Sequence, residues 1–341
     1  MVATLVVLAG SLAGRSRLLA FGIATEEARF VRRGFDPAEP GIQRRLELVG
    51  ATFIGGYRAG LLHHDLGRLT SDLDRVDAEL RGFAYEGAAM GVALANFFMP
   101  WRKRLAAFID GPGNPHVYML HVGVGWALAR LPLPLGFALR RLDPLLRWLA
   151  VDGYGFHQGY FHWRRYVAEC RAPWLSGYAA RAFDQGLGRS LWFVLGADVR
   201  RVAEGIGRFA QHRQSDLWSG VGLAATYAGG VDVSVLESLR TAAGHHLPYL
   251  AQGAAFAAKA RLRAGNLTPH TETACQVFWG TPAADAARVT DDALLDLVAG
   301  AAEPAYEVWR QRIRDRFMRL HPAPGAHAAP DDMRPFTGHV T

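Results

Sequence analysis

Glu86, His121, His157, Asp184, Ser219 and Gln252 share one feature: each is a polar residue standing one or two places ahead of a glycine. The six recur along the chain at intervals near the length of a helical hairpin. Equivalent positions on successive units would fall on one face of a stack. Two carboxylates, two imidazoles, a hydroxyl and an amide would then line a shared cavity. Glu86, His121, His157 and Asp184 are the candidates for proton transfer, or for holding a metal ion through Glu, His and Asp donors. The alternative is a ladder of hydrogen bonds between stacked helices, because buried polar groups need partners whether or not they do chemistry.

Further residues flank the same set. Gln158 and Gln185 follow the second imidazole and the second carboxylate, and Asp152 and Arg189 sit five residues to either side. Asp216 and Trp218 precede Gly220, and Lys259 follows Gly253. Tyr85, Trp126 and Phe156 are aromatic neighbours that could contact a substrate, as are Tyr154, Phe161, Trp192 and Tyr227. His270, before Thr271 at a helix start, could reach a cavity. His63-His64 and His245-His246 are adjacent in sequence, so each pair points to two faces of a helix and reads as loop or surface. No HExxH, GxSxG or GxxxxGK[ST] occurs. Gly186-Leu187-Gly188 and Gly220-Val221-Gly222 begin like dinucleotide fingerprints, but the residues before them look helical, and one phosphate turn would not recur so often. No nucleotide cofactor is expected.

The elements that must position these groups are helices. The glycines Gly56, Gly87, Gly123, Gly159, Gly186, Gly220 and Gly253 are separated by 31, 36, 36, 27, 34 and 33 residues. A period in the low thirties is one helix–turn–helix unit. In nearly every copy a large apolar residue lies three places before the glycine, and often a small residue lies two after it. The expected fold is therefore all-α: a TPR-like stack of about seven units of 27–36 residues, occupying residues 28–320.

Helices are expected over Gln43 to Leu66, from Asp72 to Leu80 (capped within Thr70-Ser71-Asp72 and ended by Gly82), and then to Phe98, stopped by Pro100. An amphipathic helix over Leu135 to Leu149, bent at Pro144, leads to Asp152, which caps or precedes the next copy. Further helices follow over Trp174 to Val194, Asp198 to Phe209, Ser215 to Tyr227, Ser234 to Ala243, Leu247 to Arg263, Thr271 to Trp279 and Ala283 to Ala301. Gly196, Gly229-Gly230, Gly244 and Gly265 separate several of these. Glu303 to Leu320 reads as a polar terminal cap, and residues 321–341 as a disordered tail.

Half of the 341 residues are hydrophobic, which excludes general disorder and suffices for a sizeable core. The net charge of +7 is carried almost entirely by scattered arginines, with no basic run interleaved with stacking aromatics, so nucleic acid is not an expected partner. Cys170 and Cys275 are far apart and form no CxxC motif, in keeping with a reducing cytoplasm. Residues 1–27 open with an apolar run too short to span a bilayer and lacking a basic leader. A packed first helix is expected there, with a membrane-surface helix as the alternative.

Several motifs together resemble a known family. They are Gly82-Phe83-Ala84-Tyr85-Glu86-Gly87, His121-Val122-Gly123-Val124-Gly125-Trp126, Asp152-Gly153-Tyr154-Gly155-Phe156-His157, Phe183-Asp184-Gln185-Gly186-Leu187-Gly188-Arg189-Ser190, Asp216-Leu217-Trp218-Ser219-Gly220 and Pro269-His270-Thr271. The family is the UnbL-type group of uncharacterised proteins encoded in enediyne biosynthetic gene clusters. The resemblance covers roughly residues 28 to 300. It implies a role in maturing the linear polyene made by a polyketide synthase toward the enediyne core. A multi-pass membrane protein and a large repeat protein are the implied partners in a joint oxidative system. The resemblance assigns no reaction and no catalytic residues. Two readings stand: an enzyme acting on a hydrophobic polyene between helix pairs, cytoplasmic or at the inner face of the membrane, and a non-catalytic scaffold or polyene carrier.

Overall fold

The structure, a computed structural model, describes residues 12–99, 103–298 and 303–322. Seventeen α-helices and no strands occur among them. Helices α1 (Leu12–Phe21) and α2 (Phe30–Arg33) precede seven pairs. In these, α3 (Pro40–Leu62) is followed by α4 (Leu66–Asp74), α5 (Ala78–Phe98) by α6 (Arg104–Asp110), and α7 (Val117–Leu128) by α8 (Leu135–Leu139). Next, α9 (Arg147–Phe161) is followed by a π-turn at Arg164–Ala168, and α10 (Tyr178–Val194) by α11 (Val199–Gly207). The last pairs are α12 (Gln211–Ala228) with α13 (Val233–Ala243) and α14 (Leu247–Arg263) with α15 (Pro269–Trp279). Helices α16 (Ala283–Asp292) and α17 (Ala305–Leu320) close the series.

Local chemistry explains the alternation. Four of the short second helices begin at side-chain caps: Asp65 accepts from Arg68 N at 2.7 Å, Asp198 from Arg201 N at 2.9 Å, Asp232 from Val235 N at 3.0 Å and Thr268 from Thr271 N at 3.1 Å. Each buries a narrow stripe, such as Leu69 and Leu73 or Val202 and Ile206, and leaves the rest in water. The long first helices are buried on nearly all sides and pack on one another in chain order.

Glycine permits that packing. A Cβ on Gly186 would stand 1.7 Å from the Asp152 carbonyl oxygen, and one on Gly188 2.1 Å from that of Leu217. Two residues are about 200° apart around a helix. The first glycine therefore meets the preceding helix and the second the following one, backbone against backbone. In α3 and α5, Gly56 meets Ala84 and Gly60 meets Ala88, so the two helices run parallel.

Several expectations need correction. In the fourth copy the glycines at the contacts are Gly153, against Val122, and Gly155, against Phe183, whereas Gly159 packs against the Ser190 side chain. With Gly153 as marker, the intervals from Gly87 onward become 36, 30, 33, 34 and 33 residues, more even than before. Asp152 is no cap; it is buried inside α9. Thr70 to Asp72 lie within α4, whose cap is Asp65, and Gly82 lies within α5 at a contact with the Tyr227 hydroxyl rather than at a helix end. The bend at Pro144 is a full break between α8 and α9, and α16 stops at Asp292. The glycines that separate the later helices do so with positive φ, as at Gly196 (66°) and Gly265 (65°). The expected stop at Pro100, the first eleven residues and the tail from 323 lie outside the described residues.

The early helices of the stack meet its late ones. Arg45 of α3 donates to the Ala228 carbonyl at the end of α12 (2.8 Å) and pairs with Glu79. Arg261 of α14 donates to the Tyr227 carbonyl (2.6 Å) and the Glu79 carbonyl (3.1 Å). The early helices thus fold back on the late ones, and the inner face is a packed interior. The larger of two hydrophobic clusters draws residues from Ala28 to Phe317, and a smaller one gathers Leu69, Leu73, Tyr85 and Phe108.

Candidate functional site

If one glycine of a pair points to the preceding helix and the other to the following one, the residues midway between them on the inner side are those one before the first glycine and three after it. Those positions hold Glu86 and Met90 in α5, Val122 and Trp126 in α7, Asp152 and Phe156 in α9, Gln185 and Arg189 in α10, Ser219 and Leu223 in α12, and Gln252 and Phe256 in α14. All are buried.

The polar members join into one chain. Arg189 is buried and donates through Nη1 to Asp152 Oδ1 at 2.7 Å. Its Nη2 stands 3.8 Å from Glu86 Oε2, an ionic contact too long for a hydrogen bond. Glu86 Oε1 accepts from the Trp126 indole at 3.1 Å. On the other side, Gln185 donates to Asp152 Oδ2 at 2.8 Å, Ser219 donates to Gln252 Oε1 at 2.9 Å, and Arg310 of α17 donates to the same oxygen at 3.0 Å. Arg310 also pairs with Asp216 at 2.8 Å and Glu307 at 3.0 Å. The Arg189 guanidinium lies over the Phe156 ring, 4.7 Å from its centre.

Glu86 forms the polar floor of an aromatic crevice. Phe53 and Phe156 flank Trp126, with ring centres 4.6 and 4.9 Å from its own, and Phe161 and Phe193 complete the wall. Burial pushes the Glu86 carboxyl up to about 7, helped by the nearby Asp152 charge and opposed by Arg189 and the Trp126 hydrogen bond. Burial works against the Arg189 charge, but Asp152 and Glu86 outweigh it and hold the guanidinium above its ordinary range. At neutral pH, Glu86 is thus poised between acid and base in a nearly dry, apolar space.

Glu86, Trp126, Asp152, Phe156, Gln185 and Arg189 are brought together, with Asp216 and Gln252 further along the same chain. The other proposed residues are not. His121, Asp184, Tyr85 and Trp218 sit two places before their glycines, so a turn of about 100° carries them off the inner face. Asp184 is held by Arg213 through bonds of 2.9 and 2.6 Å. The Tyr85 hydroxyl donates to Asp74 at 2.9 Å, and Trp218 stacks near His246. His157 packs edge-on against Trp126, behind the crevice, and burial drives its pKa down to about 3. The Lys259 amine pairs with Asp291 at 2.5 Å, and His270 bonds the Ala225 carbonyl at 2.8 Å. His63 and His246 are buried rather than superficial, against Asp72 and Ser215 respectively.

His121 stands at a separate cleft. Its Nδ1 donates to the Val117 carbonyl at 2.8 Å, which leaves Nε2 as an acceptor. Burial lowers its pKa, opposed by that bond and by Asp143 and Asp110. The four residues put forward as metal ligands do not converge, and among the described residues no three His, Cys, Asp or Glu side chains do. The donor set therefore does not fit the suggested metal site. Arg310, Glu307 and Tyr306 were missed on sequence. Their signal was a run of charges at Glu307, Arg310 and Arg314 on the same stripe as Tyr306, Trp309 and Ile313.

This fold and site define an all-helical repeat protein whose inner helix faces enclose an ionisable pair beside an aromatic crevice. Over residues 12–317 the chain matches the family described as protein of unknown function, DUF1702, and it belongs to that family. No curated protein and no solved structure matches it. No described helix is long and apolar enough to cross a membrane.

Proposed function

We propose that this protein acts in the maturation of a linear polyketide-derived polyene toward an enediyne core, holding the polyene beside Glu86 and Arg189. The observation that supports this most directly is the raised pKa of a buried carboxyl at the floor of an aromatic crevice. The step that Glu86 can perform alone is a proton shift. The protonated carboxyl gives its proton to one sp2 carbon of the conjugated chain. The resulting carboxylate takes a proton from an sp3 carbon at the other end, so double bonds move and Glu86 is regenerated with no net redox change. Arg189 would stabilise the carboxylate between the two transfers. Oxidation needs an electron acceptor and is assigned to the multi-pass membrane partner, with this protein in the cytoplasm or at the membrane's inner face.

The test is conversion of the synthase-derived polyene by the reconstituted partner set. Glu86→Gln is expected to lower turnover by about a hundredfold or more, typical for loss of a general acid–base group. Full turnover by a folded Glu86→Gln protein would remove the catalytic reading. A second reading, a polyene carrier or scaffold, is favoured by the polar chain from Asp152 through Gln185 and Ser219 to Gln252 and Arg310, whose hydrogen bonds serve stability without chemistry. Under it, Glu86→Gln keeps turnover whenever fold and polyene binding survive.

A further inference from the structure

A cleft of about 440 Å³, within the range of ligand sites, opens between α6, α7, the loop before α9 and the end of α14. It stops at Tyr118 and Trp309. The crevice behind them holds about 30 Å³, room for one or two waters. The Trp309 indole is fixed there by its bond to the Thr290 carbonyl at 2.7 Å. The cleft is therefore a space of its own, apart from Glu86 and Arg189.

Three groups in its wall have bonding capacity to spare. The first is His121, which is 1% exposed. Its Nδ1 is 2.8 Å from the Val117 carbonyl, which can only accept, so Nδ1 carries the ring proton and Nε2 keeps a lone pair. Burial keeps the ring neutral at pH 7, against the pull of that bond and of Asp143 and Asp110. Nε2 has no partner among the described residues and is not sealed in the interior, so it meets the cleft. The other two groups are Asp110, which ends α6, and Arg141, which follows α8. Both are exposed, and neither has an ionic partner among the described residues; Arg141 only lies over the Phe137 ring, 4.8 Å from its centre. The remaining two charges are occupied. Asp143 accepts from Leu145 N at 2.9 Å and Leu146 N at 2.8 Å, and Arg263 donates to the Asn114 side chain at 2.7 Å. Ile109, Leu142 and Leu146 add apolar wall.

We propose that this cleft is a second ligand site, and that it takes a small zwitterion with an apolar body, whose ammonium donates to His121 Nε2 beside Asp110 and whose acid group meets Arg141. The two unpaired charges are single and opposite, so a ligand with one of each satisfies both. A bare hydrocarbon would leave the buried His121 acceptor without a donor, which costs free energy. A polyphosphate would bring several negative charges to a wall that already holds two carboxylates. A metal ion would find no three His, Cys, Asp or Glu donors together among the described residues. The site does not depend on the reading of Glu86.

The test is isothermal titration calorimetry on the full chain. The probes are 6-aminohexanoate, whose charges lie at opposite ends, and L-phenylalanine, whose charges share one carbon, against hexylamine and hexanoate. Saturable binding of at least one zwitterion is expected, with both single-charge controls weaker by about tenfold or more, the scale of one charge-assisted hydrogen bond. His121→Phe keeps a ring and removes the acceptor, and should weaken binding by a similar factor. Asp110→Asn and Arg141→Gln lie at exposed positions where the fold is not at stake, and each should weaken binding by about threefold or more. Glu86→Gln should bind as wild type does. Failure of both zwitterions to bind the wild type would overturn the site and leave the polyene reading intact. So would equal affinity for hexylamine, or an affinity indifferent to His121, Asp110 and Arg141.

Discussion

One oxygen of Glu86 accepts a hydrogen bond from the Trp126 indole at 3.1 Å, while the other faces Arg189 across 3.8 Å with no hydrogen bond at all. The half-satisfied carboxyl is buried beside a guanidinium already committed to Asp152 at 2.7 Å. Burial, which Arg189 and the single indole bond only partly offset, brings the group to titrate near neutrality.

Stability should carry the signature of that proton. The folded-state pKa of Glu86 is raised to about 7 from 4.5, so between those values the folded chain binds more protons than the unfolded one. Stability from this group is greatest below pH 4.5 and is lost as pH rises through 7, by about 3 kcal/mol in all. Glu86→Gln should therefore gain on wild type between pH 5 and 8 in urea unfolding. A constant difference across that range would place the proton elsewhere.

Glu307 should act in the opposite sense. Burial opposes its charge, but Arg310, Arg314 and Arg181 outweigh burial and hold its pKa at about 2. Its contribution is present above pH 4.5 and is lost as pH falls toward 2, again by about 3 kcal/mol. Acid titration followed by circular dichroism should show a less steep loss for Glu307→Gln than for wild type.

Arg189 separates the effect of removing one charge from that of removing the pair. Arg189→Met leaves Asp152 buried without its counter-ion and should cost about 3–5 kcal/mol. Adding Asp152→Leu should recover much of that loss, because two matched apolar groups need no desolvation. Double-mutant unfolding measures the recovery, and no recovery would mean that the polar chain as a whole specifies the fold.

Glycine positions should divide sharply. Gly186→Ala forces a methyl into the Asp152 carbonyl and should destabilise by about 3 kcal/mol, the scale of overpacking. Gly55 sits in the exposed middle of α3, and a methyl added there would meet nothing within 4 Å. Gly55→Ala should stabilise by about 0.5–1 kcal/mol through helix propensity alone. Thermal melts of the two variants decide whether glycine acts here through space or through flexibility.

The helices and their close packing were legible in the sequence because both are local. Apolar periodicity places α14 at Leu247–Arg263 as expected, and glycines at a period in the low thirties mark where one helix must touch the next. The sequence by itself also brought forward Glu86, Asp152, Gln185, Arg189 and Gln252. It could not separate them from Tyr85, His121, Asp184 and Trp218, because one residue along the chain is about 100° around a helix, and only the contact partner of each glycine fixes the inward direction. The same uncertainty shifted the fourth copy by six residues, from Gly153 to Gly159. Tertiary structure alone decided that the stack folds back on itself, that Arg310 reaches Gln252 across 58 positions of chain, and that Arg189 meets Glu86. These contacts join helices remote in sequence. Their energy comes from burying charges together in a dry interior, a condition that exists only once the stack has closed.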